Sequence, residues 1–348
     1  MTPTHRRLAA AAIALGLVAA ACSKGKKEAA PEAPAPAAPV PAAATCPADA
    51  APLTGISQGD AGLRSRPVLV VKIDNAPLAR PQAGLNQADV VVEEMVEGGV
   101  TRLAVMFHSQ DAGDVGPVRS ARSTDVAVVS ALNNPLFAYS GANGDFTSLV
   151  RAAPLVDIGV NTRPGLYRRV AGRPAPYNQF STTDALFAQA AGEARPPEAQ
   201  FTYRCGGSAL TAAGAQPARG VRLVFRDRVT TDVQYEWDAS GWARTQNGTA
   251  HVDTAGVRVA PQNVVLHFAP YRDTGYVDQS GAPVPEAEIV GEGEAWIFTD
   301  GQVVQGRWSK PAPTAVPQYV DGAGKPVALT PGRTWVELPP PGIATLLS

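Results

Sequence analysis

The chain has 348 residues, and its 30 lysines and arginines nearly cancel its 31 aspartates and glutamates, leaving a formal net charge of −1. Such a balance provides no global field to attract a polyanion, which argues against nucleic acid as a partner.

Arg6 and Arg7 precede an uncharged run from Leu8 to Ala21 that ends in Ala19-Ala20-Ala21-Cys22. The run is shorter than the roughly 20 apolar residues needed to cross a bilayer. It reads as a bacterial lipoprotein signal over residues 1–22, in which small residues admit a peptidase and the Cys22 thiol takes a diacylglycerol. An ordinary secretory signal with an incidental cysteine is the alternative. Residues 23–66 are alanine, proline and small polar residues, a composition that buries too little apolar surface to fold and predicts a tether. Lys24, Lys26 and Lys27 at its start suit an anionic headgroup layer. The remaining chain, about 280 residues, is long enough for two domains.

The body opens with Val68-Leu69-Val70-Val71-Lys72-Ile73, a β-branched run that reads as a buried strand and leads into Asp74-Asn75. After a proline-rich turn from Ala76 to Gln82, the runs 89–97 and 100–107 flank Gly98-Gly99 and predict a hairpin. The spacing of Val126, Val129 and Leu132 predicts a helix over 123–133, with Asp125 in the dipole-favoured first turn. A strand at 136–140, a short helix at 145–152 and an apolar stretch at 155–160 follow. Ser181-Thr182-Thr183-Asp184 then starts a helix through Ala191 in the manner of a capping box. Beyond Gly206 the texture changes to short strand-like runs at 221–225, 233–237, 264–268, 295–298, 303–308 and 334–338, separated by turn pairs such as Asp300-Gly301. The fold class is therefore α+β: an N-terminal α/β domain with a mixed sheet, residues 67–205, followed by a mostly β domain, residues 206–348.

Cys46 and Cys205 are the only cysteines besides Cys22. An even pair in an exported chain reads as a disulfide, here one that pins the end of the tether to the body; two free thiols are the alternative.

The densest chemistry is Gly116-Pro117-Val118-Arg119-Ser120-Ala121-Arg122-Ser123, just before a predicted helix. Free N–H groups at a helix start, joined by two guanidinium forks, would make an anion pocket. The competing reading pairs Arg119 and Arg122 with Glu93, Glu94 or Glu97. Arg168, Arg169 and Arg173 form a second basic group before Tyr177-Asn178. Asp74 with Glu93 or Glu97 would serve glycoside hydrolysis if the two carboxylates flanked the scissile bond. Ser120 lacks a nucleophile-elbow context. His108, His251 and His267 stand singly with no ligand spacing, so each reads as a half-buried strand residue, and no metal or cofactor is expected.

Several words in order resemble the YerB-like bacterial lipoprotein family, which carries paired N- and C-terminal domains of unknown function. They are Val71-Lys72-Ile73-Asp74-Asn75, Ala79-Arg80-Pro81-Gln82-Ala83-Gly84-Leu85, Val96-Glu97-Gly98-Gly99-Val100-Thr101-Arg102 and Val115-Gly116-Pro117-Val118-Arg119-Ser120-Ala121-Arg122. In the second domain, Gly291-Glu292-Gly293-Glu294-Ala295 and Pro331-Gly332-Arg333-Thr334-Trp335-Val336 are similar in the same way. The family's histidine before the asparagine aligned with Asn178 is replaced by Tyr177, which weakens an acid-base role there. The resemblance covers the chain from Cys46 onward and implies a cell-envelope lipoprotein, without implying a reaction.

Residues and resemblance together lead to a lipid-anchored protein on the extracytoplasmic face of the cell membrane. Its expected role is to bind an anionic envelope ligand, glycan or protein, in an arginine-rich groove. Asp74, Asn75, Arg80, Glu97, Arg102, Arg119, Ser120, Arg122, Arg168 and Asn178 are expected to line that groove. An envelope hydrolase using Asp74 and a glutamate, and a scaffold acting through the β domain, are the alternatives.

Overall fold

The structure, a computed structural model, describes residues 46–142, 144–278 and 281–347. The signal, Cys22 and the first part of the expected tether lie outside them.

Strands β1 (Leu69–Asp74), β2 (Val90–Met95) and β3 (Thr101–Phe107) stand antiparallel in the order β2-β3-β1. All six residues of β1 are buried, because the sheet is covered on both faces; hence an apolar run broken only by Lys72 and Asp74 instead of an alternating one. β1 continues in parallel to Leu136–Ala138, and that strand to Val156–Asp157. On the other side β2 pairs in parallel with Thr334–Leu338, and the sheet runs on through Asn263–His267, Gly291–Thr299, Gln302–Lys310 and Gln318–Val320. The residues expected as two domains thus contribute strands to one mixed eleven-stranded sheet. The physical reason is edge satisfaction: the hairpin of β2 and β3 leaves the far edge of β2 unpaired, and Thr334–Leu338 fills it. The class is α+β as expected. Helices fall before residue 206, and among the described residues after it all regular structure is β, mostly antiparallel.

One face of the large sheet is covered by a five-stranded antiparallel sheet, ordered Thr249–Ala250, Trp242–Gln246, Thr230–Trp237, Gly220–Arg226 and Ala344–Leu347. Leu69, Val71 and Phe107 pack there with Val221, Tyr235 and Trp242. Of the helices α1 (Ala61–Ser65), α2 (Ser123–Val129), α3 (Gly144–Ala152) and α4 (Thr183–Phe187), α2 and α3 cover the opposite face, where Val70, Met106 and Phe137 meet Val129 and Val150. The α4 N-cap is Thr182, whose hydroxyl accepts from Ala185 N. The helix stops at Phe187, short of Ala191, because the residues that follow are exposed and bury nothing to hold another turn.

The tether is expected to run through Arg66, but from Cys46 onward its residues belong to the folded body. Cys46 is disulfide-bonded to Cys205, with 4.8 Å between their Cα atoms. Ala51 and Leu53 are buried, and Tyr203 donates its hydroxyl to the Leu53 carbonyl. Two apolar side chains in a proline- and alanine-rich stretch were enough to seat it.

Gly99 joins the small sheet to the large one. Its φ is +83°, and a Cβ there would lie 2.5 Å from the Val229 carbonyl oxygen. The same turn accepts hydrogen bonds from Val229 N and the Thr231 hydroxyl, so glycine is required by both conformation and proximity.

Breaking the disulfide removes a constraint between positions 159 residues apart in the chain. Cys205→Ser is therefore expected to lower stability by about 2–5 kcal/mol. Urea unfolding under non-reducing conditions checks this; an unchanged midpoint would show that the bond constrains nothing.

Candidate functional site

Successive residues of a strand point to opposite faces. At the carboxyl end of β1 this sends Lys72 and Asp74 toward the helices and Asn75 toward the small sheet, and each side carries a buried polar cluster.

On the helix side, Lys72 is fully buried and pairs with Glu94 and, at 2.6 Å, with Asp125. Asp125 also accepts from Arg122 N at 2.7 Å, closing the start of α2. Arg122 holds Glu97 with both Nε and Nη2, the latter at 2.8 Å. Arg102 lies 3.8 Å from Glu97 and donates to the Ser120 carbonyl. Burial, with Arg122 beside it, pulls the Arg102 guanidinium down to about 10. Arg119 Nε stands 2.9 Å from Asp74 Oδ2, and the Arg119 side chain remains 30% exposed. The anion pocket expected at the start of α2 is thus filled by the protein's own acids, as the competing reading had it for Glu97.

On the small-sheet side, Glu93 of β2 lies directly beside Glu337 of Thr334–Leu338, and both are fully buried. Glu93 accepts from Arg244 Nη2 at 2.6 Å, Trp335 Nε1 at 3.2 Å and Asn75 Nδ2 at 3.0 Å. Tyr235 donates to Glu337 Oε1 at 2.7 Å and accepts from Arg244 Nε at 3.0 Å. Burial opposes the Arg244 charge, but Glu93, Tyr235 and Glu337 together outweigh it and hold the guanidinium above its ordinary value. Burial, then the neighbouring Glu93 charge, raises Glu337 well above the carboxylate range, so Glu337 keeps its proton. Arg244 Nη1 lies 2.6 Å from His251 Nδ1; as a guanidinium can only donate, His251 Nε2 carries the proton and donates to Gln82 Oε1 at 2.9 Å. Burial, reinforced by Arg244, keeps this histidine neutral. Gln82 Nε2 in turn donates to Asn75 Oδ1 at 2.9 Å.

Arg80 stands apart. It lines an open pocket of about 270 Å³ with Pro77, Pro81, Thr249, Ala250, His251 and Val252. Its Nη1 reaches the Gln246 carbonyl at 3.4 Å, its Nε has no partner, and no carboxylate pairs with it among the described residues. Burial, then Arg244, lowers its pKa. Arg173 braces the same turn by donating to the Ala79 and Pro81 carbonyls.

Of the ten expected groove residues, the structure gathers Asp74, Glu97, Arg102, Arg119, Ser120 and Arg122 on the helix side and places Asn75 in the other cluster. Arg168 lies on an exposed two-residue strand of a separate small sheet and Asn178 in the turn that precedes its partner strand, bonded to Asp114 and Arg169 respectively. His108, His251 and His267, expected to be half-buried, are fully buried, because the large sheet is covered on both faces and the His251 ring is turned inward between Arg244 and Gln82. No group of three or more metal-ligating side chains occurs among the described residues. Lys72, Arg244, Tyr235 and Glu337 were missed. Arg244 had a signal, since it shares the inward parity of Trp242 in an alternating strand.

Residues 53–197 match the model for the N-terminal domain, and residues 221–336 that for the C-terminal domain, of a family described as proteins of unknown function (DUF3048). YerB of Bacillus subtilis (strain 168), which is named as a lipoprotein, is 30% identical over 294 residues, 83% of this chain and 86% of its own. The chain belongs to the YerB-like lipoprotein family. The crystal structure of YerB has a TM-score of 0.72 at 26% identity, covering 86% of this chain and 99% of that one. The match takes in nearly all of the crystallised chain, which corresponds in extent to the body of this one. No helix among the described residues is long and apolar enough to cross a membrane.

Because Glu337 is protonated when folded and titrates near the ordinary glutamate value of 4.5 when unfolded, the folded state binds the extra proton and stability falls as pH rises above 4.5. Glu337→Gln keeps the Tyr235 bond and removes that slope. The variant is expected to match the parent in acid and to gain on it with rising pH, by up to about 1.4 kcal/mol per pH unit. Urea midpoints across pH check this, and parallel profiles would contradict it.

Proposed function

We propose that the protein is anchored by a lipid on Cys22 at the extracytoplasmic face of the membrane, and that its body binds an anionic group of an envelope ligand at Arg80. The anchor reading is supported by the leader sequence and by the name of the Bacillus relative. The observation that carries the binding reading is the state of Arg80: a part-buried guanidinium without a carboxylate partner among the described residues, facing an open pocket. A buried charge is stable only when compensated, and a ligand carboxylate or phosphate would supply the missing bidentate partner. Arg119, the remaining part-exposed arginine of the expected groove, already has Asp74.

The hydrolase reading fares less well on these observations. Asp74 and Glu93 face opposite sides of the sheet, and Asp74, Glu93 and Glu97 are each buried against an arginine. A general acid or base needs access to substrate.

Thermal melts of the body with inorganic phosphate and with acidic glycan fragments test the proposal. A ligand-dependent rise in Tm is expected for the parent and is lost in Arg80→Ala, whose unliganded Tm changes little. Equal shifts in parent and variant, or none in the parent, would overturn the Arg80 site.

A further inference from the structure

A second feature lies on the helix-covered face, away from Arg80. A cavity of about 60 Å³ sits between α2 and the large sheet, walled by Val92, Met106, Ala127, Val128, Val336 and Leu338. A neighbouring cavity of about 180 Å³ shares Gln200, Phe201, Pro317 and Tyr319 with it and reaches the exposed Gln318. Two polar side chains open into the apolar end. Lys310 is 2% exposed; its ammonium donates to the Ala315 carbonyl and has no carboxylate partner among the described residues. His267 is 3% exposed, stacks on Trp308 at 3.9 Å between ring centres, and meets the Tyr319 hydroxyl through Nδ1 at 3.1 Å. Its Nε2 has no partner.

A buried ammonium without a counter-ion and a buried imidazole nitrogen without a partner are both costly. That the two share one apolar cavity points to a ligand that satisfies both. We propose that this cavity binds a small monocarboxylate with an apolar body, its carboxylate paired with the Lys310 ammonium and accepting from His267 Nε2, and its tail lying along the apolar wall toward Phe201. With Tyr319 donating to Nδ1, Nε2 carries the hydrogen that the carboxylate accepts. Burial brings Lys310 down to about 8, and burial with Lys310 beside it takes His267 down to about 3. At neutral pH the site therefore presents one cation and one neutral donor. A dry cavity of about 150 Å³ holds a benzene-sized molecule, so the two spaces suit an acyl chain of about six to eight carbons.

The body from Cys46 onward, stripped of bound lipid, is titrated with octanoate and with octanol while tryptophan emission is recorded, Trp308 being stacked on the site. Octanoate is expected to bind saturably and about tenfold or more tighter than octanol. Lys310→Met is expected to abolish that preference and leave octanol binding in place, while Arg80→Ala alters neither. In the parent, octanoate affinity is expected to fall as pH rises well past about 8, and octanol affinity to stay level. This arm requires no variant to fold. Absence of saturable octanoate binding, equal affinity for octanol, a pH-independent octanoate affinity, or an unaltered preference in Lys310→Met would each overturn the proposal.

Discussion

Two glutamates side by side in the buried interior set the problem that much of this structure answers. Glu93 and Glu337 come from opposite halves of the chain and are brought together by the parallel pairing of β2 with Thr334–Leu338. Like charges at such a position cannot both be ionised cheaply. The solution is one proton retained on Glu337 and one guanidinium, Arg244, supplied by the small sheet that packs over them. The large sheet, the small sheet and the turn after β1 are thereby tied into a single hydrogen-bonded network. It runs from Tyr235 through Arg244 and His251 to Gln82 and Asn75.

The network also shapes what is left for binding. By occupying Glu93, Arg244 leaves the nearby Arg80 with no acid of its own, and the segment Thr249–Val252, which carries His251, closes one side of the Arg80 pocket. On the opposite face Lys72, Glu94, Asp125, Arg122 and Glu97 form a closed set of ion pairs that fastens α2 to the sheet. Replacing one member of a buried pair costs about 3–5 kcal/mol. These residues therefore read as joints, whereas Arg80 and Lys310 are buried or part-buried cations without a carboxylate partner among the described residues.

Much of the fold was legible in the sequence. The hairpin around Gly98-Gly99, α2 and the six strand-like runs after Gly206 lie where apolar periodicity put them, because each buries a face of its own. The joining of the halves was not legible, since it depends on β2 meeting Thr334–Leu338 across the length of the chain. Lys72 gave a warning: a lysine inside a strand buried on both faces must itself be buried and paired. Arg80 stood in a family-like word, but its pocket forms only when Thr249–Val252 folds against it. Gly293, in another such word, is glycine because a Cβ there would lie 2.6 Å from Trp308 Nε1, a contact invisible without the strand pairing. The groove was misjudged because arginines were counted without their acids: Arg122 with Glu97 and Arg119 with Asp74 meet only in three dimensions.

That the buried network makes the two halves one cooperative body is tested most directly by unfolding the body in urea, followed at once by tryptophan emission and far-ultraviolet circular dichroism. All five tryptophans lie between residues 237 and 335, so emission reports on the second half and dichroism on both. Coincident single transitions are predicted for the parent. In Arg244→Met, which strands the Glu93 charge, both are predicted to move together to lower urea. Separated transitions in the parent, or a shift in emission alone in the variant, would contradict the account.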